Sequence, residues 1–187
     1  KLVQMRHISG LNFRVSHAVT GCAEPLFRQI CPERPSSLLL AGAVGSGKTT
    51  MLRDLCRLLG ASWRLTLVDE RSEIAAVHHG VPQYDVGLHT DVLDGFPRAE
   101  GLLTALRVLT PEVLVCDEIS TEADAQAILR IHGSGVPVVA SAHGTSLEDL
   151  ERRPALKQLL DKGVFRYAAV LSGREQGKVQ TLRRVVP

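Results

Sequence analysis

A chain of 187 residues with 44% hydrophobic and 22% charged residues has the composition of a globular protein with room for one complete core. Its formal net charge of +2, with both signs interspersed and a pI near 8.5, requires neither nucleic acid nor an anionic membrane as a partner. The longest apolar runs, residues 37–43 and 136–142, fall far short of the roughly 18 residues that span a bilayer, and no signal-peptide pattern is present.

In chain order, residues 8–19 partly alternate in polarity and predict a short strand or hairpin, and a helix-like stretch follows over 23–30. Residues 1–35 read as the end of a linker or N-terminal region, with a further domain expected upstream. Residues 36–187 read as one α/β domain. Within it, the apolar runs 37–41, 64–68, 113–116 and 136–142 predict strands buried on both faces. Residues 48–59, 99–109 and 123–131 carry apolar side chains at helical spacing. Strands alternating with helices predict a mainly parallel sheet covered by helices on both faces. Residues 79–97 read as a long functional loop without regular structure. The runs 165–171 and 178–186 predict an antiparallel hairpin at the sheet edge. The segment joining them, Leu171-Ser172-Gly173-Arg174-Glu175-Gln176, resembles the signature of ABC transporter ATPases but follows the acidic strand instead of preceding it, so a hairpin turn is the better account.

The four cysteines, Cys22, Cys31, Cys56 and Cys116, show no C-x-x-C pairing, which predicts neither zinc nor a disulfide framework and points to a reducing cytoplasm. His78, His79 and His89 lack ligand spacing.

The chemistry concentrates at four strand ends. Gly42-Ala43-Val44-Gly45-Ser46-Gly47-Lys48-Thr49 matches G-x-x-x-x-G-K-[ST] between a predicted strand and a predicted helix. The glycines let backbone N–H groups curl around phosphate, and the helix adds the positive end of its dipole. Lys48 is expected to reach the β- and γ-phosphates of ATP, Thr49 to place its hydroxyl on Mg²⁺, and Thr50 to complete the nucleotide-binding set. The run 113–118 ends in Asp117-Glu118, which predicts Asp117 on the metal through water and Glu118 as the base that activates the attacking water. Asp69-Glu70 ends a second strand with Glu73 close behind, so Glu70 and Glu73 rival Glu118 as base; a helix N-terminal acidic cluster is the plainer alternative. His143 ends the fourth run and is expected to sense the γ-phosphate or the attacking water.

With these residues placed, the chain resembles the secretion and pilus-motor branch of RecA-like P-loop ATPases. Residues 68–74 resemble its acidic box, 109–119 its Walker B segment and Ser141-Ala142-His143-Gly144 its histidine box. The runs 69–75, Pro82-Gln83-Tyr84-Asp85-Val86-Gly87 and Thr90-Asp91-Val92-Leu93-Asp94-Gly95 narrow this to a resemblance to the stage III sporulation protein AA family. That resemblance implies an ATP-hydrolysing motor of a secretion-like channel in endospore formation, acting in the mother cell toward the forespore. It further implies a hexameric ring completed by arginines from a neighbour, with Arg71, Arg98 and Arg107 as candidates, and membrane proteins of the channel as partners. The expected location is cytoplasmic, peripheral to the membrane, with no direct insertion and no nucleic acid. His89 stands where the pattern leads one to expect an arginine. Two alternatives stay open: an ATPase stimulated by single-stranded nucleic acid, against which an aromatic content of 4% speaks, and a nucleotide-gated scaffold with little turnover.

Overall fold

The computed structural model describes residues 9–10, 17–173 and 175–185. The strand or hairpin predicted over 8–19 falls mostly on residues 1–8 and 11–16, outside the described residues. The first described element is α1 (Glu24–Ile30), started by Pro25 in its first turn, where a missing N–H costs no helical bond. Ala23, Leu26 and Ile30 are buried, and the Ala23 N–H donates to Asp54 at 2.8 Å, so this helix is fixed against the domain core.

Seven strands follow: β1 (Leu38–Gly42), β2 (Leu65–Asp69), β3 (Thr90–Asp94), β4 (Val113–Glu118), β5 (Val138–His143), β6 (Tyr167–Leu171) and β7 (Val179–Arg184). They form one sheet in the order β3-β2-β4-β5-β1-β6-β7, in which every neighbouring pair is parallel except the antiparallel β6–β7 edge. Successive side chains of a strand point to opposite faces. Leu38 and Leu40 accordingly join the core under α1 and α2 (Lys48–Leu59), while Leu39 and Ala41 join the core under α3 (Arg98–Val108), α4 (Glu122–His132), α5 (Leu147–Glu151) and α6 (Pro154–Asp161). This mainly parallel sheet with helices on both faces and a C-terminal edge hairpin is the architecture the sequence predicts.

The structure corrects the sequence reading of the stretch between β2 and α3. Residues 79–97, expected to lack regular structure, contain β3, which pairs in parallel with β2 from Leu65↔Thr90 to Asp69↔Asp94. β3 is an edge strand whose burial is only partial, so its two aspartates face solvent without penalty and dilute the apolar signal to Val92 and Leu93. α5 and α6 have no counterpart among the sequence-derived elements, being short and separated only by two residues before Pro154.

Candidate functional site

The loop from β1 to α2 emerges at the carboxyl edge of the sheet, where open α/β sheets bind ligands. Gly47 caps α2 in the left-handed region, at φ 96°, and no side chain caps this helix. The N–H groups of the first turn have no partner within the helix. α4, by contrast, closes its own first turn with a reciprocal Thr121–Asp124 capping box. The uncapped end of α2 opens onto a cavity of about 220 Å³ lined by Val44, Gly45, Gly47, Lys48, Thr49, Thr50, Arg71, Glu73, Glu118 and Gln176. Gly42, Ala43 and Ser46 shape the loop from behind, and Ser46 Oγ is buried without a partner among the described residues. Lys48 Nζ donates to the carbonyls of Gly42 at 2.8 Å and Ala43 at 2.9 Å. Burial pushes its ammonium below the ordinary lysine value, against the opposing charge of Glu118.

Gly47 admits no side chain. A Cβ there would sit 2.9 Å from the Gly177 backbone nitrogen, on top of the positive φ. Gly47→Ala is therefore expected to destabilise the fold by about 1–3 kcal/mol, read as a lower denaturant midpoint of the nucleotide-free protein.

The acidic pair at the end of β4 is divided by a bulge. Cys116 pairs with Ala140 and Glu118 pairs with Ser141, so Asp117 is an extra residue on its strand. Paired residues share a face, and Ser141 lies two positions beyond Val139, on the α2 side of the sheet. Glu118 is thereby turned toward the cavity and Lys48. Strict alternation from Val113 and Val115 puts Asp117 there instead.

Asp117 meets Arg98, which enters from the start of α3 and is 4% exposed. Arg98 donates from Nε to Asp117 at 2.6 Å, from one terminal nitrogen to Asp124 at 3.0 Å and from the other to Glu70 at 2.8 Å. Burial disfavours its charge, but the Asp117 hydrogen bond and the surrounding charges more than offset this and hold it above the ordinary arginine value. Burial raises the Asp117 carboxyl above the usual carboxylate range, and Arg98 opposes that rise.

The acidic loop after β2 is a compact turn, not a helix start. Asp69 is fully buried and accepts from the N–H groups of Glu73 and Ile74, each at 3.0 Å, and Ala75 at 2.8 Å. Arg53, buried on α2, donates to the carbonyls of Glu73 at 2.7 Å and Ile74 at 2.8 Å, and its guanidinium lies 3.9 Å from the Tyr84 ring centroid. The result is Glu73 on the cavity wall and Glu70 turned to Arg98. His143 lies in register beside Gly42, and the Gly144 N–H donates to the Gly42 carbonyl at 3.3 Å, so the histidine adjoins the root of the loop without lining the cavity. Of the three candidate arginines, Arg71 lines the cavity of its own chain, Arg98 is buried and Arg107 lies exposed on α3.

A family profile described as sporulation stage III, protein AA, matches residues 1–184. The chain belongs to the stage III sporulation protein AA family. The Bacillus subtilis (strain 168) stage III sporulation protein AA is 40% identical over 185 residues, which are 95% of this chain and 60% of that protein. Among solved structures, the Legionella pneumophila ATPase DotB superposes with a TM-score of 0.60 at 20% identity, covering 79% of this chain and 43% of its own. The VirB11 ATPase of the Brucella suis type IV secretion system gives 0.61 at 19%, covering 85% and 50%. The fold of this family member is thus the RecA-like P-loop fold of secretion ATPases. The chain spans 60% of the curated relative's length and half or less of these neighbours. No helix among the described residues is long and apolar enough to cross a membrane.

The residues fit a magnesium nucleotide. The uncapped end of α2, the unpartnered Ser46 hydroxyl and the Lys48 ammonium gather hydrogen-bond donors at one loop, as a polyphosphate requires. Thr49 and the acidic strand end offer hard oxygen ligands suited to Mg²⁺. Sequence reasoning missed Arg53, the three-carboxylate role of Arg98 and the presence of Gln176. The one signal available for Arg98 was its place directly after Pro97, at a helix start facing two acidic strand ends.

Proposed function

We propose that this domain hydrolyses ATP to ADP and phosphate as the motor of a secretion-like channel complex in endospore formation. The observation that carries the reading is that Lys48 and Glu118 line one cavity at the mouth of the P-loop. The first-turn N–H groups of α2 receive the β-phosphate, and Lys48 exchanges its two loop carbonyls for phosphate oxygens. Thr49 would hold Mg²⁺ directly, while Asp117, paired with Arg98 and outside the cavity lining, would reach the ion only through water; the ion would supply charge neutralisation across the phosphates. Glu118 takes a proton from the attacking water as its oxygen bonds to the γ-phosphorus; the bond to the β–γ bridging oxygen breaks, and ADP leaves with that electron pair. Glu73 and Arg71 complete the wall, and His143, in register beside Gly42 at the root of the loop, would serve as the sensor of the γ-phosphate or the attacking water.

The family membership supports the sporulation setting, and the likeness to secretion ATPases supports a ring, hexameric as the resemblance implies, held at the membrane of the mother cell by channel proteins. The test is steady-state ATP turnover by the full-length protein. Lys48→Ala is expected to abolish turnover together with nucleotide binding. Turnover that survives this change sinks the reading, and nucleotide-dependent assembly without turnover replaces the motor with a scaffold.

A further inference from the structure

The turn between β6 and β7 is the segment whose sequence resembles a transporter signature, and in the fold it closes on the P-loop of its own chain. The Gly177 N–H donates to the Ser46 carbonyl at 2.8 Å, and the Gly177 backbone lies against Gly47. The turn is braced from within: the Ser172 N–H donates to the Lys178 carbonyl at 2.8 Å, and the Glu175 N–H donates to Ser172 Oγ at 3.2 Å. This bracing leaves Gln176 on the wall of the phosphate cavity. The strand order fixes which wall. β1 is flanked by β5 and β4, which bring Glu118, on one side, and by β6 and β7 on the other. Gln176 therefore stands across the loop from the proposed base, beside Ser46 and Gly47 and away from the γ-phosphate end.

We propose that the β6–β7 turn is part of the nucleotide site, with the Gln176 carboxamide hydrogen-bonded to the α- and β-phosphates as a binding residue. The inference rests on the phosphate site proposed above and deepens it. A neutral amide that donates to a phosphate oxygen makes a charge-assisted bond, so its loss weakens binding of ADP and of a non-hydrolysable ATP analogue alike.

The experiment measures affinity of the full-length protein for ADP and for that analogue by calorimetry, in wild type, Lys48→Ala, Gln176→Ala, Gln176→Glu and Gln176→Lys. Wild-type binding that is lost in Lys48→Ala establishes the phosphate site independently of the hairpin. Gln176→Ala is then expected to weaken both ligands by about tenfold, with Glu weaker still and Lys recovering affinity, since only a group facing phosphate reads the sign of the charge. Unchanged affinity in all three Gln176 variants overturns the hairpin's part while leaving the phosphate site standing. A loss confined to the ATP analogue overturns the assignment to the α- and β-phosphates. Absence of Lys48-dependent binding in the wild type overturns both.

Discussion

Glu118→Gln is expected to lower ATP turnover by about 10²- to 10⁴-fold, the range for removal of a general base, while leaving nucleotide affinity within a few fold of wild type. The expectation follows from the bulge in β4. By setting Glu118 opposite Ser141, the extra residue directs this carboxylate into the cavity that Lys48 lines. Glu70 is the weaker rival, because its carboxylate is held 2.8 Å from Arg98. Held there and absent from the cavity lining, it is not in reach of the attacking water, so Glu70→Gln is expected to change turnover by less than about tenfold. Glu73 lines the same cavity and ranks between them. Single-turnover measurements on the three variants decide the order. A deeper loss in Glu73→Gln than in Glu118→Gln moves the base to the acidic loop.

The second large effect concerns stability. Arg98→Met removes the cation from a site where Asp117 and Asp124 are 14% and 5% exposed, leaving them without their shared partner. Breaking a buried pair in this way costs about 3–5 kcal/mol. The loss is expected to depend on pH in a defined sense. Without the guanidinium, burial raises the Asp117 carboxyl further, and a carboxylate whose folded value is raised binds protons more readily folded than unfolded. Its destabilising effect is therefore full at neutral pH and is relieved as the pH falls into the carboxylate range. Urea denaturation at neutral and mildly acidic pH checks this: a loss near 1 kcal/mol that does not shrink in acid would place the cluster among ordinary surface ion pairs.

The legible parts of the molecule were those in which local sequence and fold agree. β1, the P-loop and α2 form a continuous signal, from Leu38-Leu39-Leu40 through the glycines to the helical spacing of Met51, Leu52 and Leu55. The buried strands β2, β4 and β5 announce themselves by apolar runs that can be nothing but interior. β3 hid because an edge strand needs only half an apolar pattern. The choice among Glu70, Glu73 and Glu118 was not legible because it depends on one extra residue in a strand pairing and on Arg98, whose partners lie 19 to 28 positions away. Gln176 was hidden for the same reason: turn residues carry no periodicity, and only the β6–β7 register brings this one to the P-loop.

The two carbonyls that hold Lys48 carry a consequence for discrimination among anions. The ammonium meets any ligand with two of its three hydrogens already satisfied at 2.8 and 2.9 Å. A small anion that offers a single oxygen merely exchanges one acceptor for another and gains little net binding. A polyphosphate chain displaces both carbonyls at once and also engages the open helix end. The lysine's resting contacts thus favour an anion that replaces both carbonyls at once over one that replaces a single carbonyl.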